Sequence, residues 1–316
     1  MWYLPKPSDK TLQWYEDTFL DAIANDIHVS DLEESVKNVI LQDGNKEMLK
    51  RLLVDPPSKL YPLNVELENK IKECGNWSVS KNIILAAFNY DGRISKDKAV
   101  SYELARRIGT RTCVYCNRIY SFTIETDEGK TVARPDFDHW LPKEKHPLLS
   151  MGFYNLIPSC PICNRSIKLR EDFEYGKHVH PYDSCAETQF HFQYEPLPSD
   201  NWKLKLADCT PEEDATARIL KTEAAYQPYA NYEVKDLLDF VYKNTPEYLM
   251  DLKEKVMKAF GNTITKEQAY RSVFGAEIEA SLFSDRPLSK MKRDILKQLQ
   301  ESLGLSLVDF GLMDKK

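Results

Sequence analysis

The stretch RPDFDHWLPKEKHPLLSMGFYNLIPSCPICNRSIK (residues 134–168) decides how the chain is read. It runs Asp136, Asp138, His139, then Asn155, then a C-x-x-C pair at Cys160 and Cys163, and then Asn164. A second pair, Cys113 and Cys116, stands upstream, with 43 residues between Cys116 and Cys160. Two such pairs are metal spacing rather than a disulfide framework, and four thiolates in two knuckles suit tetrahedral zinc. Four cysteine ligands leave no open position for water. Zinc on Cys113, Cys116, Cys160 and Cys163 is therefore expected to be structural, holding a small fold that lacks a core of its own.

Working outward, IYSFTIE (119–125) and TVARPDF (131–137) read as two strands joined at Gly129. Beyond the irregular WLPKEKHPLLSMGF (140–153), a short run NLIPS (155–159) leads to a helix opening near Pro161, where a proline removes no hydrogen bond. The flanks carry helical periodicity. On the N-terminal side these are WYEDTFLDAIAND (14–26), SDLEESVKNVIL (30–41) and NKEMLKRLLV (45–54), with Ser30 to Glu33 read as a capping box opening the second. DPPSKLYP (55–62) breaks the pattern, which resumes over 78–90 and 95–109. On the C-terminal side helices are expected over 210–226, 232–243, 246–260, 265–283 and 287–303. The fold class is α+β: a helical N-terminal segment (1–110), a zinc-stapled ββα module (111–195) and a C-terminal helical domain (196–316).

The order C-x-x-C, then D-H-x-x-P, then N-L, then C-x-x-C-N resembles the HNH nucleases, the ββα-metal group, in the form where C-x-x-C pairs bracket the site. The match covers Cys113 to Lys168, under a fifth of the chain. The longer DHWLPKEKHP … FYNLIPSCPICN is similar to bacterial HNH proteins of antiviral systems, such as the nuclease component of Septu-type pairs. The resemblance implies an endonuclease that hydrolyses phosphodiester bonds of nucleic acid, DNA ahead of RNA. His139 would be the general base, because a neutral imidazole near its own pKa can take a proton from water. Asp138 and Asn164 would supply hard oxygen ligands for a catalytic Mg2+ or Mn2+. Asn155 would orient the loop or the histidine.

Other residues join this set. Asp136 is an alternative ligand to Asp138, since strand alternation puts both on one face. His180, in KHVHPYDSC, is a further candidate, because HPY at this distance recurs in the proteins just named. After the second knuckle the pattern often runs C-N-x-x-K; here Ile167 takes the lysine's place and Lys168 comes one later. Arg165, Lys168 and Arg170, with Arg106, Arg107, Arg111 and Arg118, could position a phosphate backbone without reading sequence. The last helix, with Arg286, Lys290, Lys292, Arg293 and Lys297, is a second basic candidate. Cys74, Cys185 and Cys209 read as buried thiols.

The net charge of −6 argues against a protein that coats nucleic acid, although residues 101–180 alone carry a net +2. Mean hydropathy is −0.51. No apolar run reaches the roughly 18–20 residues of a membrane span, and MWYLPKPSDK is no secretion signal, so a cytoplasmic location is expected. A sequence-tolerant nuclease would damage its own cell, which implies control by a partner such as an ATPase or sensor subunit. The competing reading is a non-catalytic zinc ribbon that binds nucleic acid or a partner.

Overall fold

The computed structural model describes residues 2–303, apart from 43, 170, 200, 244–247, 249–250, 252–253, 256–257 and 260–264. Arg170 and most of the helix expected over 246–260 lie outside the described residues. Within them the chain combines helices with short antiparallel strand pairs, an α+β composition, and it divides into two compact units. No described helix is long and apolar enough to cross a membrane.

One unit comprises Tyr3–Thr110 and Phe122–Ser184. Its first helix, α1 (Asp9–Val29), buries Tyr15, Phe19, Ile23 and Ile27, a stripe repeating every four residues. The Ser30 hydroxyl donates to the Ile27 carbonyl and so closes α1. The expected capping box is not formed: α2 (Glu34–Leu41) begins at Glu33 with no side-chain cap. After α3 (Glu47–Val54), the stretch read as a breaker instead opens α4 (Pro57–Cys74). Pro57 sits at the first helical position, and Pro62 lies inside the helix. An interior proline costs about 3 kcal/mol. Burial of Leu60, Tyr61, Leu63, Leu67 and Ile71, at about 1.5–3 kcal/mol for each fully buried large side chain, outweighs it.

Helices α5 (Trp77–Phe88) and α6 (Lys98–Ile108) follow, the second closed by Gly109 at φ 72°. Strands β1 (Ile124–Glu125) and β2 (Thr131–Ala133) are shorter than the sequence suggested, and their turn uses Gly129 at φ 75°. β3 (Asp136–His139) pairs with β4 (Leu156–Ser159), and a π-helical segment, Cys163–Lys168, follows.

The other unit comprises Met1–Trp2, Arg111–Ser121 and Cys185–Lys316. It contains a hairpin that the sequence reading missed, β5 (His191–Leu197) with β6 (Asn201–Ala207), in register from His191 opposite Ala207 to Leu197 opposite Asn201. Its described helices include α7 (Pro211–Ile219), with a capping box between Thr210 and Glu213, α8 (Thr222–Tyr229), α9 (Lys235–Lys243), α10 (Lys266–Phe274) and α11 (Ser289–Leu303). The helix expected over 265–283 ends at Phe274, because Gly275 turns the chain at φ 64°. Helices close both edges of the hairpin. From α11, Asp294 accepts the Phe192 N–H, and Gln298 exchanges two bonds with the Tyr194 backbone. On the other edge the Leu206, Leu204 and Trp202 amides donate to Glu223, Gln227 and Asn231, which are spaced four residues apart.

Candidate functional site

The β3–β4 pair places Asp136 opposite Ser159, Asp138 opposite Ile157 and His139 opposite Leu156. All of β4 is buried, so both of its faces are packed against the rest of the unit. The connection between the strands is tied down by Asn155, whose side chain is fully buried. Its Oδ1 accepts the Leu141 N–H at 2.9 Å and the Tyr61 hydroxyl at 3.3 Å. Its Nδ2 donates to the Leu141 and Leu149 carbonyls at 3.0 and 3.1 Å. All four bonds are internal, so Asn155 holds the loop and does not face a reactant.

That loop delivers the Ser150 carbonyl to His139 Nε2 at 2.9 Å. A carbonyl only accepts, so Nε2 carries the proton, and in the neutral ring the lone pair belongs to Nδ1. The ring packs edge-on against Tyr90, with centroids 4.4 Å apart. Burial lowers the His139 pKa to about 3; the Ser150 bond opposes this, and the charges of Lys143 and Lys168 add to it. The imidazole is therefore neutral at pH 7, but further below its ordinary pKa than the sequence reading supposed.

Asp136 and Asp138 meet the segment after the second knuckle. Arg165 grips Asp136 with two bonds of 2.9 and 3.0 Å, and Asn164 Nδ2 reaches Asp136 Oδ2 at 3.3 Å. Lys168 is 3% exposed and donates to Asp138 Oδ2 and to the His139 carbonyl, both at 2.6 Å. The segment is π-helical, and a π turn takes one more residue per hydrogen bond than an α turn. The positions thus meet as two sets, Asp136 with Asn164 and Arg165, and Asp138 with Lys168.

Oxygen donors for a hard cation are present, but both carboxylates already hold a side-chain cation, and Asn164 turns its amide nitrogen toward Asp136. A divalent ion at Asp138 does not fit while the Lys168 ammonium occupies the same oxygen.

His180 is placed elsewhere. It is buried among Tyr61, Trp140, Tyr175 and Tyr182, with Nε2 2.9 Å from the Tyr61 hydroxyl and Nδ1 taking the Tyr182 amide at 3.3 Å. Burial lowers its pKa to about 3, opposed by the Tyr154 carbonyl. Both nitrogens are engaged, which suits a core histidine better than a ligand.

Cys113, Cys116, Cys160 and Cys163 are all buried, with their Sγ atoms within 4.8 Å of one another. Tetrahedral zinc with Zn–S of about 2.3 Å needs sulfurs roughly 3.8 Å apart, so the four thiols fit that ion. Backbone amides aim at two of the sulfurs: Arg118 N–H at Cys116 and Cys163 N–H at Cys160, 3.5 and 3.4 Å away. Asn117, at φ 47°, is held by bonds from its Nδ2 to the Phe283 and Arg286 carbonyls. Cys74 and Cys185 are exposed and Cys209 is half-buried, contrary to the reading of three buried thiols.

Several of the residues read as phosphate contacts have partners within the chain. Arg106 and Arg107 pair with Glu103, and Arg118 donates to the Ala225 carbonyl beneath Tyr226 and Tyr229. Lys290 and Arg293, read as part of a basic helix face, are buried in ion pairs with Asp294 and Glu187.

Sequence reasoning missed four groups that shape the site: Tyr61, Tyr90, Ser150, and the pair Glu68–His146, whose Oε1 and Nδ1 are 2.9 Å apart. Tyr61 and Glu68 both lie on α4, the helix hidden by its prolines. No family model, curated protein or solved structure matches the chain.

Proposed function

We propose that this chain is an HNH-type endonuclease that hydrolyses phosphodiester bonds of nucleic acid, DNA ahead of RNA. One observation carries the reading: a neutral histidine, fixed through Nε2 to the Ser150 carbonyl, beside a strand whose two carboxylates face Asn164 and Lys168. His139 Nδ1 would take the proton of the attacking water. Its low pKa disfavours that step until a phosphodiester brings negative charge beside the ring, which is where such a base is needed. Lys143 and Lys168, whose charges act on the His139 ring, and Arg165 would be the cations to meet such a phosphate, and Asn155 would act by holding the loop. Zinc on the four cysteines would staple the module. An ATPase or sensor subunit, a cytoplasmic location and a role in antiviral defence belong to the same proposal and rest on the resemblance and on the hazard of an unregulated nuclease.

The competing reading, a zinc ribbon without catalysis, draws support from the engagement of Asp136 and Asp138 by Arg165 and Lys168. Supercoiled plasmid separates the two. With Mg2+ or Mn2+ the wild type is expected to nick or linearise it, and EDTA to stop it. His139→Ala is expected to lower the rate by about 10²–10⁴-fold, the usual contribution of a general base. Cleavage that survives His139→Ala sinks the assignment, and cleavage of neither plasmid nor structured RNA favours the zinc ribbon. Elemental analysis of the purified chain should find one zinc per molecule, lost in Cys160→Ser together with the cooperative unfolding transition, since structural zinc contributes on the order of 10 kcal/mol.

A further inference from the structure

We infer that the unit holding β5 and β6 carries a binding site for a small phosphomonoester, in the cleft between residues 187–193 and α11. The site does not depend on the nuclease reading. The cleft encloses about 230 Å3. A water takes about 30 Å3, so there is room for a phosphate with a small organic group. The wall on α11 is formed by Lys290, Arg293 and Lys297, three and four residues apart and therefore on one face of the helix. Lysine and arginine are rarely buried, yet Lys290 is 1% exposed and Arg293 4%.

The groups left unmet on this wall are all donors. Lys290 Nζ has three N–H groups and, among the described residues, one acceptor, Asp294 Oδ2 at 3.0 Å. Arg293 gives two bonds to Glu187, at 2.5 and 2.8 Å, and one to Asp294, while its Nε is buried without a partner. Lys297 makes no hydrogen bond among the described residues, though its charge acts on Glu187. Buried donors without acceptors are costly, and a ligand made of acceptors relieves them. Glu187 shows the chemistry the wall accepts. Burial raises its carboxyl pKa, but the Arg293 bonds and the charges of Arg293, Lys290 and Lys297 more than reverse this and lower it. That planar carboxylate takes the Arg293 fork and leaves donors on three separate side chains. The tetrahedral oxygens of a phosphate suit such a set better than a second planar group. The carboxylates of Glu187, Asp294 and Glu301 also line the cleft. They limit the negative charge it tolerates, which favours a monoester over a di- or triphosphate.

Calorimetric titration of the full chain with inorganic phosphate, phenyl phosphate and acetate tests this. Both phosphates are expected to bind with a Kd of about 1 mM or tighter, and acetate about tenfold more weakly or worse. Lys297→Gln, at a half-buried position, should weaken phosphate about tenfold, because a charge-assisted bond has gone. Lys297→Met serves if that variant does not fold, and circular dichroism identifies which is folded. Glu187→Gln should tighten phosphate by removing a like charge. Lys292→Gln, on α11 but outside the cleft, should leave it unchanged. No saturable phosphate binding, or an affinity that ignores the charge of Lys297, overturns the site. Equal affinity for acetate overturns the phosphoryl preference. An oligonucleotide without terminal phosphate that binds with the same Lys297 dependence, where phosphate does not, makes the cleft a nucleic-acid contact and overturns the small-molecule assignment. Plasmid cleavage should be unchanged in Lys297→Gln, so failure of this site leaves the nuclease reading standing.

Discussion

The hairpins β3–β4 and β5–β6 solve the same problem in opposite directions. Each has only two strands, too few for independent stability, so each must find partners for its exposed polar groups elsewhere. In β5–β6 the demand comes from the backbone edges. It is met by side chains, Asp294 and Gln298 on one edge and Glu223, Gln227 and Asn231 on the other, at the four-residue spacing that lines up along a helix. In β3–β4 the demand comes from the strand's own side chains. His139 is met by a backbone carbonyl, and Asp136 and Asp138 by Arg165 and Lys168. Backbone amides closed by fixed side-chain oxygens have no reason to open, whereas carboxylates closed by side-chain cations keep a charge that another ion can meet. The first arrangement suits stability and the second suits chemistry.

The largest expected effect falls on the loop that joins β3 to β4. Asn155→Ala would leave the Leu141 N–H and the Leu141 carbonyl unpaired, and would cost the Leu149 carbonyl one of its two bonds, the other coming from the Gly152 N–H. At roughly 1–3 kcal/mol for each buried group left unpaired, the loss should come to about 3 kcal/mol or more. Urea denaturation would measure it, and plasmid cleavage should fall with it, because the Ser150 carbonyl that holds His139 rides on the same loop. A loss below about 1 kcal/mol would mean that the loop is held by its apolar contacts, and the contrast between the two hairpins would lose one side.

The same contrast explains what could be read from the sequence. Cys113, Cys116, Cys160 and Cys163 were legible because metal binding restricts residue type and spacing, whereas Asp138, His139, Asn155 and Asn164 were legible only as an ordered pattern. The structure does gather the four thiols and does set Asn155 beneath the loop. What was not legible depends on distant partners. HFQYEPL and NWKLKLA alternate only loosely, and what makes them a hairpin is the helix side chains on both edges. Tyr61 was lost because two prolines near the start of α4 look like a stop, and only the burial around them shows otherwise. His180 was drawn toward the site by its neighbours in sequence, while the fold spent it on an aromatic core.

Removing one edge clasp of β5–β6 tests the other side of the comparison. Gln298→Ala loses two bonds to Tyr194, and Gln227→Ala loses the bonds to the Leu204 N–H and Trp202 carbonyl. Water can replace part of each, so about 1–2 kcal/mol is expected for either variant. Hydrogen exchange should quicken at the Tyr194 amide in the first and at the Leu204 amide in the second. Cleavage per folded molecule should not change. A selective loss of cleavage in either variant would show that this hairpin is not confined to stability.

The smallest effect at neutral pH, and the one with the clearest sign, concerns His180. Its pKa lies at about 3 in the fold against an ordinary value of about 6.5, because the aromatic box around it disfavours the charged ring. Below about pH 6.5 the unfolded chain binds a proton there that the folded chain refuses. The stability attached to the neutral form is whole above that pH and drains away as pH falls toward 3, at about 1.4 kcal/mol per pH unit. His180→Phe keeps an aromatic ring in the box and deletes the titration. At pH 7 it should cost only the bond to Tyr61 and the Tyr182 amide. Between pH 6 and 4 its stability should fall less steeply than that of the wild type by that same increment, read from urea midpoints at several pH values. Parallel curves would mean that His180 is solvated and protonates in place, in which case its nitrogens are accessible and the histidine returns as a ligand candidate.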